Sequence, residues 1–318
     1  MEMFRRFAPA AMLAVAMLFA ASAARADTAV SSCGTLSPAG NYFLTKNLTS
    51  SGTCLVFGDE GVSLDMKGHT ITGNGTGDGI SDGGNTLQDF AIANGKIRNF
   101  DFGIGFDNSC CGVIRNVDSS KNSETGIFIG ECCAVLDSVI ADNNGSLGIL
   151  AEACCFSLNN IEANSNGTAG GIATTGCCTT VANSIASRNR GPGVTELGCC
   201  SYLVASKVDD SNQDGVDMNE CCNFVIDSRS SSNIGVGVSL GGDDNLVIGT
   251  TVENNGGDGI DLATETNQIT NSQSIKNGGV GASVGCPGAI TGLRTKNNTG
   301  GTLTTTGGTC TQLNNKLL

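Results

Sequence analysis

Residues 126–155 read GIFIGECCAVLDSVIADNNGSLGILAEACC, which is one structural unit and the start of its repeat. The alternating segment Gly126-Ile127-Phe128-Ile129 is followed by Cys132-Cys133, by Val135-Leu136 and by the polar run Asp142-Asn143-Asn144-Gly145. Gly148-Ile149 and Cys154-Cys155 then begin again. Apolar alternation over three or four residues, bounded by Gly, Asn, Asp or Ser, is the pattern of short strands joined by turns. A unit of 22 residues built in this way has no room for an amphipathic helix.

Working outward, Gly-Ile or Gly-Val recurs at positions 103, 126, 148, 171, 193, 215, 237 and 259, in steps of 22 or 23. Gly79-Ile80 precedes the series and Gly281-Ala282 extends it. A unit this small cannot bury its own apolar face and must stack on its neighbours. Stacking places Ile104, Ile127, Ile149, Ile172, Val194, Val216, Val238 and Ile260 in one inward column. Parallel strands lie about 4.8 Å apart, so ten to eleven turns predict a rod roughly 50 Å long. A leucine-rich repeat has a similar period, but its leucine-and-asparagine framework is missing.

Composition agrees. With 46 Gly among 318 residues and only 4 Pro, the chain is glycine-punctuated without being collagen-like. Charged residues make up 15% and hydrophobic residues 39%, which argues against disorder. The formal charge of −13 would repel nucleic acid.

Residues 1–26 carry Arg5 and Arg6, an apolar run from Phe7 to Ala24, and the small-residue triplet Ala24-Arg25-Ala26 before Asp27. This predicts a cleaved secretory signal and a periplasmic or extracellular protein with no membrane span after cleavage. Cleavage leaves 14 basic and 29 acidic residues, a net of −15. Export to an oxidising compartment makes disulfide or metal chemistry the question for the 16 cysteines.

The segment Val62-Ser-Leu-Asp-Met-Lys-Gly-His-Thr-Ile-Thr-Gly73, followed by Gly79-Ile80 and the 22-residue turns, resembles right-handed parallel β-helix proteins of the pectin-lyase-like superfamily, particularly the NosD-like branch. The resemblance spans roughly residues 30 to 300. It implies an all-β, right-handed parallel β-helix: a cap and first turn over 27–60, the helix over 61–298, and a C-terminal cap or tail over 299–318. It also implies an association with periplasmic copper handling. Many unrelated activities sit on this scaffold, so fold does not fix function.

A solenoid exposes core at both ends and needs caps. Cys33 and Cys54, and Cys286 and Cys310, are read as cap disulfides, and the Thr/Gly-rich run 299–311 as a covering loop. The other twelve cysteines form six adjacent pairs in register: Cys110-Cys111, Cys132-Cys133, Cys154-Cys155, Cys177-Cys178, Cys199-Cys200 and Cys221-Cys222. Asp243-Asp244 and Glu265-Thr266 hold the same place in the next two turns, which points to a tight bend. The result is a sulfur stripe roughly 25 Å long.

Three chemistries suit the stripe. Disulfides between neighbouring turns fall within the usual Cα separations of about 4.4 to 6.8 Å. A disulfide within each vicinal pair would be strained and easily reduced. Capture of copper or zinc by the twelve thiols is the third, although zinc-type spacings are missing and one histidine cannot furnish mixed ligation.

Resembling enzymes cleave or epimerise acidic polysaccharides, which directs attention to carboxylate pairs. Asp217 and Asp261 share one outward position two turns apart, about 9.6 Å, at the wide edge of the spacing used by inverting glycosidases. With Asp214 and Asp258 they make either a catalytic pair or an acidic face that takes up calcium through oxygen ligands. His69, in Gly68-His69-Thr70, reads as a structural turn. Two Tyr and no Trp leave little for a sugar-stacking groove.

The sequence thus predicts an exported, cysteine-stapled β-helix with a structural or binding role toward a surface or polysaccharide. The alternatives are periplasmic soft-metal binding and a polysaccharide lyase, hydrolase or epimerase.

Overall fold

The computed structural model describes residues 27–130, 133–152, 154–196, 198–262 and 264–318. The expected signal (1–26) and Cys132 lie outside the described residues. Thirteen strands, from Gly34–Leu36 to Gly301–Gly307, stack into one sheet, one strand from each turn. Of the remaining strands, 23 form a sheet on the other side of the core, and Leu87–Gln88 and Ser109–Cys110 pair as a small sheet of their own at the bend. The protein is therefore a right-handed parallel β-helix of about thirteen turns, longer than the ten to eleven expected. The first two turns and the last carry no Gly-Ile pair, so a count of that pair misses them.

The run 299–311 is not a covering loop. Gly301–Gly307 is a seven-residue strand that pairs in register with Val280–Cys286. Thr is β-branched and packs well in strands, which outweighs the turn signal of the flanking glycines. Both cap disulfides are present, Cys33–Cys54 with Cα atoms 4.6 Å apart and Cys286–Cys310 with Cα atoms 5.0 Å apart. No helix among the described residues is long and apolar enough to cross a membrane.

The inward column forms as the repeat dictates. Ile80, Ile104, Ile127, Ile149, Ile172, Val194, Val216, Val238, Ile260 and Ala282 pair in register, each no more than 2% exposed. The glycine before each of them is fixed by close approach rather than by a turn. A Cβ on Gly148 would lie 2.6 Å from the Gly171 carbonyl oxygen and 2.7 Å from the Asn166 amide nitrogen.

That amide belongs to a second device. The backbone N–H of Asn122 donates to Asn144 Oδ1, that of Asn144 to Asn166 Oδ1 and that of Asn166 to Asn189 Oδ1, at 2.9–3.0 Å. Ser211 donates to Asn233, and the ladder continues through Asn255 and Asn277 to Asn298. Asn122 to Asn277 are buried. Backbone donors at a bend lose their strand partners, and a buried donor left unpaired costs about 1–3 kcal/mol. The ladder supplies those partners.

Candidate functional site

The Cys-Cys pairs occupy the bend between the thirteen-stranded sheet and the larger sheet, as the Asp-Asp replacement implied. In each described turn the N–H of the second cysteine donates to the carbonyl of the first residue of the next pair. The links run Cys133 to Cys154, Cys155 to Cys177, Cys178 to Cys199, Cys200 to Cys221 and Cys222 to Asp243, at 2.9–3.2 Å. The side chains thus form two parallel files along the rod. The bend continues upstream into Gln88-Asp89, since Gln88 pairs with Cys110, so carboxylates flank the thiols at both ends.

The second cysteine of every described pair is in the left-handed region. The φ values are 60° at Cys111, 53° at Cys133, 69° at Cys155, 62° at Cys178 and Cys200, and 63° at Cys222. That region costs an L-residue roughly 1–2 kcal/mol, and Asn and Asp tolerate it best. At another bend of the same turns the left-handed place is held by Asn116, Ser138, Asn160 and Asn183, and at this bend outside the stripe by Asp89 and Asp244. Backbone geometry therefore favours Asn or Asp here, although Thr266 takes the same place one turn after Asp244 at a φ of 61°. Only sulfur chemistry accounts for cysteine at this place in every turn of the stripe.

Ten ladder cysteines carry free thiols, all exposed or half-buried, while Cys110 is disulfide-bonded and its Sγ lies 3.4 Å from Cys111 Sγ. The thiols press on one another. Hydrogen bonding to Cys199 and Cys154, and the charge those groups would carry, push the Cys177 thiol up to about 11. Cys221, loss of hydration and Cys200 push Cys222 up to about 11 as well. Cys155 and Cys178 are raised first by loss of hydration and then by neighbouring thiols. Several adjacent thiolates cannot coexist at neutral pH. Joining sulfurs in pairs removes that repulsion.

A buried acid that the sequence reading passed over lies beside the ladder. Glu196 is 2% exposed, accepts a hydrogen bond from Gly198 N–H at 3.0 Å, and precedes Cys199-Cys200 by three residues. Burial pushes its carboxyl up to about 7, partly opposed by Gly198 N–H and Ser201. Thr174 Oγ1 and Thr179 Oγ1 are buried without a hydrogen-bond partner among the described residues. The signal was available in the register: Glu196 pairs with Thr174 and Met218, in a column otherwise held inward by Ala151, Leu240 and Leu262.

Asp217 and Asp261 are placed as expected, outward on the thirteen-stranded sheet with Ser239 between them. Both carboxyls are raised, Asp217 by burial and then Asp214, Asp261 by burial and then Asp258 and Asp214. Asp214 and Asp258 do not simply enlarge the acidic patch. Each accepts a 2.7 Å hydrogen bond from a backbone N–H one turn on, Val236 and Val280 respectively, and so ties turns together. His69 lies in a bend, its Nδ1 3.3 Å from Asn47 Oδ1, a residue that also accepts from Thr70 N–H. The structure does not bring His69 together with Asp217 and Asp261, which lie many turns along the rod.

Residues 170–317 match the family model described as right handed beta helix region. No curated protein matches the chain by sequence. Among solved structures the chain is similar to the A-module of the Azotobacter vinelandii mannuronan C-5 epimerase AlgE4, at 13% identity and TM-score 0.57, covering 88% of this chain and 89% of that one. It is also similar to the tailspike protein of Dettilon, at 12% identity and TM-score 0.53, over 83% of this chain and 62% of the other. The catalytic domain of a GH87 α-1,3-glucanase aligns at 11% identity and TM-score 0.50, over 92% and 63%. These likenesses place the chain in the pectin-lyase-like fold and carry no further than fold.

Proposed function

We propose that the chain is an exported, non-catalytic rod whose cysteine ladder oxidises turn to turn into disulfide staples, and that the stapled rod serves as a structural or binding element outside the cytoplasm. One observation carries this reading. Cys33 and Cys54 sit immediately before the paired residues Gly34 and Leu55 of consecutive turns, and there a disulfide closes with Cα atoms 4.6 Å apart. Ladder cysteines in one file stand in the same relation, and six turns divide evenly into three couples. By the chain-entropy estimate, closing a loop of this length stabilises by about 3 kcal/mol.

Copper, zinc or calcium would meet no ready-made cage in the described side chains. Among them no three or more His, Cys, Asp or Glu residues are grouped to hold a metal ion. The stripe offers sulfurs in lines, not in a cage.

Disulfide mapping of the protein purified without reductant tests the proposal. The expected result is no alkylatable thiol, with Cys154 joined to Cys177, Cys199 to Cys221, Cys155 to Cys178 and Cys200 to Cys222. Free thiols throughout, or thiols released only by a chelator, would overturn it.

A second reading, a polysaccharide-acting site, is favoured by the half-buried pair Asp217 and Asp261 and by the Asp261 Oδ1 atom, which lacks a hydrogen-bond partner among the described residues. Pectate, alginate and neutral glucans should then yield new chain ends, and Asp217→Asn or Asp261→Asn should abolish them. No product from any of these polymers removes the reading.

A further inference from the structure

The charge of the chain is not spread along the rod. All 29 acidic residues after residue 26 fall at or before Glu265, so residues 27–266 carry a net −19. Residues 267–318 contain Lys276, Arg294, Lys296 and Lys316 and no acid, a net +4. In the middle turns Lys207 pairs with Asp209 and Arg229 with Glu253 at 2.7 Å, while Arg115, Lys121, Arg188 and Arg190 make no ion pair among the described residues but sit in strongly acidic surroundings. No ion pair among the described residues involves the four C-terminal cations. Arg294 and Lys316 even face each other in register on neighbouring strands, where like charges repel.

At the same end the strand edges have a single neighbour among the described residues. Gly301–Gly307, Thr311–Leu313 and Lys316–Leu317 each pair with the preceding turn only. The first of these strands carries no charge and no proline, the devices that normally protect an edge. Leu313 is 56% and Leu318 54% exposed, and Leu317 is 38% exposed. At the opposite end Thr28–Val30 and Gly34–Leu36 also pair on one side only among the described residues, and exposed Asp27, Asp59 and Glu60 lie in the first turns.

We propose that the rods associate head to tail, the basic C-terminal turn of one chain receiving the acidic N-terminal turns of a second copy as the next parallel rung. A second copy meets two of these features at once, strand edges of matching direction and opposite charge, and the contact would draw the exposed leucines out of water. Such a contact joins unlike ends and does not close on itself, so it builds chains of rods. It is independent of the oxidation state of the cysteines.

The test is sedimentation velocity of the purified protein at about 0.01 M and about 1 M salt, where the screening length falls from about 30 Å to about 3 Å. Concentration-dependent oligomers at low salt that weaken at high salt are expected. The triple variant Arg294→Glu, Lys296→Glu, Lys316→Glu, with an unchanged circular dichroism spectrum, should associate at least about tenfold more weakly. Mixing it with Asp27→Lys, Asp59→Lys, Glu60→Lys protein should restore mixed oligomers. A monomer at every concentration and salt, association indifferent to both charge reversals, or a monomer whose tip binds polygalacturonate instead would overturn the proposal.

Discussion

Replacement of Glu196 by Gln isolates the cost of placing an ionisable group inside this rod. The carboxyl is 2% exposed, and among the described residues no cation is paired with it. Burial raises it from 4.5 to about 7. The native state therefore holds this proton more tightly than the unfolded chain, and stability falls as pH rises. The contribution is fully present below about pH 4.5 and gone above about pH 7, a total of about 3 kcal/mol, most of which falls between pH 5 and pH 8.5. Glutamine keeps an oxygen for Gly198 N–H and has no charge to hide. Urea unfolding of both proteins at those two pH values, with thiols in the same state, gives the comparison. Asp78, Asp142, Asp217 and Asp261 are also raised, but they are present in both proteins and cancel in the difference. The variant should gain about 2–3 kcal/mol on the wild type on going from pH 5 to pH 8.5. Equal pH dependence in the two proteins would refute the account of a buried, unpaired acid.

Three further outcomes follow from the geometry. Gly148→Ala drives a methyl to 2.6 Å from a backbone oxygen and should cost about 1–3 kcal/mol in denaturant titration, whereas Gly52→Ala meets nothing within 4 Å and should be near neutral. Asn166→Ala removes the acceptor for the buried Asn144 N–H and should cost about 1–3 kcal/mol, a larger loss than the same change at the exposed Asn314. Cys178→Asn suits the left-handed place, so the reduced protein should be unharmed or slightly stabilised. The oxidised protein should lose up to about 3 kcal/mol, less if the Cys154 staple still joins the same turns, and equal effects in both redox states would argue against stapling.

Much of the architecture could be read from residues 126–155 alone, because 22-residue spacing and strand-length alternation admit few folds. The two cap disulfides and the bend position of the Cys pairs were legible for the same reason. The thirteenth-turn count was not, since the end turns keep the strand pairing without Gly-Ile. Polar Asn such as Asn144 looked like a turn residue and proved to be interior, because a bend in a solenoid sends its amide inward to the next turn. Glu196 escaped notice because an isolated acid carries no pattern until its column of Thr174 and Met218 is aligned. The basic C-terminal segment was hidden by the whole-chain charge, an average that conceals its distribution.

The asparagine ladder has a direction. From Asn122 to Asn298, wherever a backbone link exists, the N–H of the earlier turn donates and the Oδ1 of the later turn accepts, while the later side-chain amide donates back to an earlier carbonyl, as Asn189 does to Ala163 and Asn298 to Ser274. Each turn is thus completed by the turn made after it. A chain shortened from its C-terminus strands a fixed backbone donor at the new end, while one shortened from its N-terminus strands a side-chain amide, which can turn to water more easily. For a protein synthesised from the N-terminus onward, order can settle only behind the growing end, and the last turns decide when the first are secure.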